Sequence, residues 1–309
     1  MQTTAAPPWA LILAGGDGLR LRALTRRVSG DARPKQFCSL LDGESLLERT
    51  RRRARLVSRD DRQVVVVTRR HQLFYAGLAR DLAPGRLVVQ PANRGTGAGI
   101  LYPLLRIAGL AGDVPLAIFP SDHFIDDDLA FTSVVRGALG AAAARPGLVV
   151  LLGIEALGPE PEYGWIEPAA RPLPIEGEPV FPVQRFWEKP SRRLAGALFA
   201  RECLWNSFVM VGSVLSFVEL IAAGAPLLSR AFEPLRRAVG SSREAAAAEA
   251  VYARIPEVNF SAQVLAPAAG RLGVVRVKGV DWSDLGSPER VLDTISRHGL
   301  STLQAAEPA

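Results

Sequence analysis

The run Trp9-Ala10-Leu11-Ile12-Leu13-Ala14-Gly15-Gly16-Asp17-Gly18-Leu19-Arg20, closed by Pro34-Lys35-Gln36-Phe37, decides the fold of this chain. Residues 9–13 read as a buried strand, and glycines take over where a strand would turn toward a helix. With no Cβ in the way, such a turn lets backbone N–H groups approach phosphate oxygens. Arg20 adds a planar fork of donors and Lys35 a compact point charge. The stretch therefore predicts a triphosphate cradle at the end of a core strand. It is not a Walker loop, because no Gly-Lys-Ser/Thr follows, and not a dinucleotide fingerprint, because Leu21 stands where the third glycine belongs.

Outward from this turn, strands and helices alternate. Strands are expected at 63–67, 86–89, 116–119 and 148–153, with helices at 45–57, 72–81, 98–109 and 130–144 between them. Near-continuous Val/Ile/Leu runs of this kind predict a mostly parallel central sheet covered by helices on both faces, a Rossmann-like α/β fold. Ligands of such sheets sit beyond the carboxyl ends of the strands. The glycine turn, Gln90-Pro91 and Ser121-Asp122-His123 all follow strands and are expected on one edge. From Glu162 the texture changes to short aromatic strands at 163–167, 180–188 and 205–211, read as a smaller sugar-binding lobe. A last strand at 272–278 leads to Asp281-Trp282-Ser283-Asp284-Leu285-Gly286. No linker divides the chain, so residues 9–297 are read as one domain, with 1–8 and 298–309 as frayed tails.

Bulk properties exclude several classes. The 309 residues are 48% hydrophobic, enough for a sizeable core, and no apolar run reaches membrane-spanning length. No basic residue precedes the first apolar stretch, so no signal peptide is expected. Cys38 and Cys203 are isolated, without metal-ligand spacing, and read as reduced cysteines of a cytoplasmic protein. The net charge of +6 raises the question of nucleic acid, but the densest basic run, Arg49 to Arg55, reads as the solvated side of one helix with no nucleic-acid motif beside it. Neither nucleic acid nor membrane is an expected partner; a homodimer is left open. Basic residues are overwhelmingly Arg, and of the lysines, Lys35, Lys189 and Lys278, the first two fall inside the motifs that follow.

Taken together, these residues resemble the sugar-1-phosphate nucleotidyltransferases, and within them the mannose-1-phosphate guanylyltransferases. Six motifs stand in that family's order: 13–21 with its glycines and Arg20, Pro34-Lys35-Gln36-Phe37, Pro120-Ser121-Asp122-His123, Tyr163-Gly164-Trp165-Ile166, Glu188-Lys189-Pro190 with Trp205-Asn206-Ser207, and Trp282 to Ser287. The resemblance runs from about Ala10 to Val291. It implies attack of a sugar-1-phosphate oxygen on the α-phosphorus of a nucleoside triphosphate, GTP and mannose 1-phosphate first among candidates, giving GDP-mannose and pyrophosphate. Such transfer needs in-line positioning and charge neutralisation more than a protein nucleophile. By resemblance, Arg20, Lys35 and Asp122 are catalytic: Arg20 holds the β/γ end and Lys35 the α-phosphate. Ala14, Gly15, Gly16, Gly18, Gln90, Gly95 and Thr96 contact the nucleotide, Lys189 the sugar phosphate, and Tyr163, Gly164, Glu188 and Asn206 the sugar. The length leaves no room for an additional isomerase or acyltransferase domain, so one activity is expected.

Asp122 and Asp284, far apart in sequence and each after a strand, are read as the ligands of one Mg²⁺, which favours one or two carboxylates plus phosphate oxygens. The competing readings are a helix N-cap for Asp122, a loop hydrogen-bond acceptor for Asp284, and Asp281 as the second ligand. His123 is read as an orienting or core residue. Departures from the family pattern cluster at the base and sugar ends. Gln90 and Gly95 replace a Glu and an Asn, Phe208 replaces a glycine, Ser261 and Ala266 replace an Asp and a Glu, and Ala23 replaces a proline. The alternatives are therefore the same reaction with UTP, dTTP or CTP, or with another hexose or a heptose, and a catalytically silent nucleotide-sugar-binding regulator. Retention of Arg20, Lys35, Asp122 and Asp284 argues against the silent form.

Overall fold

Runs of Val, Ile and Leu meet in one sheet. In the computed structural model, which describes residues 6–300, the strands are β1 (Trp9–Ala14), β2 (Gln63–Thr68), β3 (Leu87–Gln90), β4 (Pro115–Pro120), β5 (Phe124–Ile125), β6 (Val149–Glu155), β7 (Gly164–Pro168), β8 (Phe181–Glu188), β9 (Leu204–Ser213), β10 (Leu272–Val277) and β11 (Trp282–Ser283). Nine of them form a sheet ordered β3-β2-β1-β4-β9-β6-β10-β8-β7, and β5 pairs separately with β11.

The α/β class with both faces covered holds. Along β1, Leu11 packs into the cluster under the helix Gly95–Ala111, while Ala10 and Ile12 pack into the cluster under the helices Leu46–Arg55 and Asp128–Ala144. Both kinds of position must be apolar, which is why β1 and β2 read as unbroken hydrophobic runs.

The sheet is mixed rather than mostly parallel. β1 to β4 run parallel, and β6 and β10 run parallel, but β9 lies antiparallel between β4 and β6. A strand buried on both faces has the same apolar pattern in either direction, so periodicity could not reveal this. The strands 164–168 and 181–188 extend the same sheet through antiparallel pairing with β9 and β10.

Local chemistry adjusts other expectations. The helix expected at 72–81 is two short turns, Gln72–Tyr75 and Leu78–Asp81, interrupted at Ala76-Gly77. The helix Leu46–Arg55 starts in a capping box between Ser45 and Glu48. Its basic run is not all solvated: seven consecutive residues circle the helix nearly twice, so some must face inward. Arg53 is that residue, buried with Nε donating to Asp128 Oδ1 at 2.6 Å. At the carboxyl end the helix Pro288–His298 reaches one residue into the expected tail, closes on left-handed Gly299, and Leu300 packs on a core cluster. Ser58 Oγ likewise donates to the Pro8 carbonyl at 2.9 Å. The remaining tail residues, 1–5 and 301–309, lie outside the described residues. Among the described residues no single helix is long and apolar enough to cross a membrane.

Two small features place the motifs. The β5–β11 ladder pairs Phe124 with Ser283 and Ile125 with Trp282, which brings the segment after Asp122 against the segment before Asp284. A separate cluster of Leu21, Cys38, Leu40, Leu41, Leu46, Phe124, Leu285 and Val291 then clamps four motif-bearing segments together.

Candidate active site

A cavity of about 440 Å³ opens at the carboxyl ends of the strands and is lined by residues from all six motif regions but the Pro34–Phe37 segment. That volume lies within the usual range for small-molecule sites.

At the phosphate end the turn after β1 is held from behind. Gln36 Nε2 donates to the carbonyls of Ala14 (3.1 Å) and Gly16 (2.8 Å), and Thr68 Oγ1 donates to the Gly15 carbonyl (2.8 Å). With these oxygens turned into the protein, the N–H groups of Gly16, Asp17 and Gly18 take no protein acceptor among the described residues. The glycines serve different ends. Gly18 has φ +58°, and a Cβ there would lie 3.0 Å from the Lys35 nitrogen; Gly15 leaves space for the Gln90 amide; a Cβ on Gly16 would meet nothing and project into open space. Gly15 and Gly16 line the cavity, whereas Ala14 is buried at the end of β1 and Gly18 packs on Pro34 and Lys35. Arg20 lines the cavity with its guanidinium 3.3 Å from Glu162, a residue missed in the sequence although it neighbours Tyr163.

Lys35 is 8% exposed. Its ammonium lies 3.2 Å from Asp122 Oδ2 and donates to the backbone carbonyls of Asp284 and Leu285. Asp122 is not a helix cap: Asp127 caps the following helix. Asp284 does accept as a loop residue, through Oδ1 alone, from Gly286 N (2.8 Å) and Arg290 Nη1 (2.5 Å). Burial pushes its carboxyl up, but Lys35, His123 and Arg290 outweigh burial and hold it below the usual carboxylate range. Asp284 is thus ionised at neutral pH, and its Oδ2 takes no hydrogen bond among the described residues.

Asp122 and Asp284 both line the cavity, and the Lys35 ammonium touches the carboxylate of one and the backbone of the other. Among the described residues no group of three or more acidic, His or Cys side chains is arranged to hold a metal by itself; two hard carboxylates are the donor set that suits Mg²⁺, which completes its shell with phosphates and water. Asp281 does not line this cavity; its Oδ2 is taken by Arg297 and by His298 Nε2 (2.7 Å). His123 stands edge-on to Trp282, whose Nε1 donates to His123 Nδ1 at 3.3 Å, and burial lowers its basicity. The proton of the neutral ring therefore sits on Nε2, 3.5 Å from Asp122 Oδ1.

At the base end, Gln90, Gly95 and Thr96 all line the cavity. Gly95 has φ +78°, and a Cβ would stand 2.4 Å from the Val258 carbonyl, so close backbone approach accounts for this glycine. The Thr96 hydroxyl accepts from Phe260 N (2.8 Å), a structural use. Asn93, missed in the sequence, accepts from Gly95 N and donates to Asp17 Oδ2 at 3.1 Å, tying the base segment to the glycine turn.

At the sugar end, Gly164 sits opposite Glu188 in the β7–β8 ladder, and a Cβ on it would touch Glu188 and Asn206 at 3.2 Å each. Burial raises the Glu188 carboxyl, partly offset by Lys189 and by a hydrogen bond from Ser261. Asn206 spends its oxygen on Phe208 N (3.1 Å), leaving its amide N–H groups for a ligand. Tyr163 packs edge-on to Trp205 and Trp282 beneath the Arg290 guanidinium, 4.6 Å from its ring centre, and burial keeps its hydroxyl protonated. Lys189 (φ +46°), Phe208 (φ +59°) and Leu285 (φ +46°) hold the left-handed conformation around this site. Phe208 thus keeps the backbone shape suited to glycine while its ring projects toward Phe260 and the cavity.

This chain is similar to known proteins over most of its length. Residues 9–298 match the family described as Nucleotidyl transferase. The chain is 30% identical over 295 residues to the xanthan biosynthesis protein XanB of Xanthomonas campestris, covering 94% of this chain and 60% of that one. It is 30% identical over 285 residues to a mannose-1-phosphate guanylyltransferase of Sinorhizobium fredii, covering 91% of this chain and 53% of the other. The chain therefore spans somewhat over half the length of these relatives. A Thermus thermophilus structure described as mannose-1-phosphate geranyltransferase superposes with a TM-score of 0.75 at 30% identity, over 91% of this chain and 77% of that one.

Proposed function

Because the chain belongs to the nucleotidyl transferase family, we propose that it transfers a nucleotidyl group to a sugar 1-phosphate, with GTP and mannose 1-phosphate as the substrate pair. The observation that carries this reading is that one cavity is lined by Gly16 and Arg20, by Asp122 and Asp284, and by Glu188 and Asn206.

The chemistry follows from those residues. An oxygen of the sugar phosphate forms a bond to the α-phosphorus while the α–β bridging bond breaks and pyrophosphate leaves. The attacking phosphate is already ionised, so no protein base is required. The free N–H groups of the glycine turn receive the triphosphate, and Arg20 leaves exposed Glu162 for the β/γ oxygens. Lys35, fixed by two backbone carbonyls, keeps its ammonium beside Asp122, where it would stabilise charge growing on the α-phosphate. Glu188 and Asn206 accept from and donate to sugar hydroxyls, and Lys189 orients the attacking phosphate. Asp122 and Asp284 would hold Mg²⁺, which supplies screening between the two phosphates.

The relatives named for xanthan biosynthesis and mannose-1-phosphate guanylyl transfer support the choice of substrates. The test is a pyrophosphate-release panel of GTP, ATP, UTP, dTTP and CTP against several sugar 1-phosphates with Mg²⁺. Release with GTP and mannose 1-phosphate exceeding every other pair is the expected result. Release only with another pair would replace the substrates, and none with any pair would leave a binding protein.

A further inference from the structure

Gln90 ends β3 inside the cavity, and its amide can offer a nucleobase either two N–H donors or a carbonyl acceptor. A buried tyrosine decides which. Tyr252, buried in the core among Tyr102 and Phe232, points its hydroxyl at Gln90 Oε1 from 3.1 Å. Burial raises the Tyr252 hydroxyl well above its ordinary range, so it remains a donor. The amide also packs against Gly99 of the helix Gly95–Ala111, whose Cβ would lie 3.4 Å from Oε1 and 3.6 Å from Nε2. Nε2 points toward Gly15, where a Cβ would come within 2.6 Å of it. Nε2 makes no hydrogen bond among the described residues.

We propose that Tyr252 is a positioning residue for base selection: it pins the Gln90 oxygen so that the amide N–H groups face the base and select a carbonyl acceptor there. The inference rests on the nucleotide reading above and deepens it, because it names the class of base, a keto base, that the cavity takes. Tyr252 touches no substrate and acts only through Gln90. The one feature that works against a fixed amide is the Ala98 carbonyl, 3.2 Å from the Tyr252 hydroxyl, which competes for the same proton. If that competitor won, Gln90 would donate to the phenol oxygen and offer the base its carbonyl instead.

The two arrangements give opposite base preferences, so nucleotide binding separates them. Dissociation constants are measured by titration calorimetry for two pairs that exchange a carbonyl for an amine: GTP with 2,6-diaminopurine riboside triphosphate, and UTP with CTP. Inorganic tripolyphosphate serves as the base-free control. The wild-type protein should bind the keto member of at least one pair about tenfold more tightly. Tyr252→Phe keeps the ring packing and frees the amide to turn, so this ratio should fall to within about threefold while tripolyphosphate affinity stays the same. Gln90→Leu offers neither donor nor acceptor and should abolish the preference without relying on the Tyr252 variant; thermal unfolding checks that both variants fold. A wild-type preference for the amino members, or a ratio untouched in folded Tyr252→Phe, overturns the inference alone. Failure of every triphosphate to bind, tripolyphosphate included, overturns the nucleotide reading and this inference with it.

Discussion

The ammonium of Lys35 lies 3.2 Å from the carboxylate of Asp122, although 87 positions separate them, and it is held there by the carbonyls of Asp284 and Leu285. A cation so fixed costs no reorganisation when negative charge grows beside it. Lys35→Ala should lower kcat by about 10²–10³-fold, the usual effect of removing one preorganised electrostatic donor, and change triphosphate affinity only about threefold. Steady-state kinetics beside equilibrium binding checks this. A kcat within a few-fold of wild type would remove Lys35 from the chemistry.

Asp122→Asn and Asp284→Asn should each weaken apparent Mg²⁺ affinity in the nucleotide complex by about tenfold or more. If both carboxylates hold one ion, the double variant should lose little beyond the worse single one. Mg²⁺ titration by calorimetry, beside activity, provides the check. Asp284→Asn should also loosen Arg290, which sits 2.5 Å from its Oδ1, so its thermal unfolding is compared as well. Fully additive losses would assign the two aspartates separate roles.

The glycines of the turn should separate folding from binding. Gly18→Ala places a Cβ against the Lys35 and Pro34 backbone at φ +58°. The left-handed conformation alone costs about 1–2 kcal/mol, so Tm should fall by about 2 °C or more. Gly16→Ala meets no protein atom within 4 Å, so Tm should not move. Its methyl enters the phosphate space, and triphosphate affinity should drop by about tenfold or more. Equal effects of both variants on Tm would contradict the assignment.

Acid sensitivity should pass through His71. Burial lowers its basicity, more than the Asp17 carboxylate 3.2 Å away raises it. The folded form therefore binds fewer protons than the unfolded chain below about pH 6.5, and stability should decline as pH falls from there toward the lowered folded value. The slope attributable to one such group is at most about 1.4 kcal/mol per pH unit. Denaturant unfolding of wild type and His71→Gln between pH 7 and 5 tests this: the variant should show a shallower decline. An identical decline in both would clear His71 of the effect.

Much of the fold was legible because strand cores and a glycine turn impose themselves locally. The runs at β1 and β2 must be apolar on both faces, and Gly18 must adopt positive φ, whatever the rest of the chain does. Strand direction was not legible: β9 is buried on both faces and carries no mark of being antiparallel. The aspartate pair was found from motifs, but the β5–β11 ladder that joins their segments is two residues long on each side, too short for any periodicity. Gln36 lies within the Pro34–Phe37 motif, yet its task of pinning the Ala14 and Gly16 carbonyls depends on a contact 20 or more positions away. Arg290 gave no signal at all: an arginine in a terminal helix gains its meaning only when that helix docks beside Asp284 and Tyr163.

In the proposed reaction the bond from the α-phosphorus to the α–β bridging oxygen breaks, and the new bond joins two phosphates. Phosphorus NMR of GTP and mannose 1-phosphate with Mg²⁺ and the enzyme observes both events in one sample. The result expected is loss of the three triphosphate resonances and of the sugar phosphate resonance, with matched growth of a diphosphate diester pair and pyrophosphate. GDP with inorganic phosphate, or GTP left intact beside unchanged mannose 1-phosphate, would contradict it.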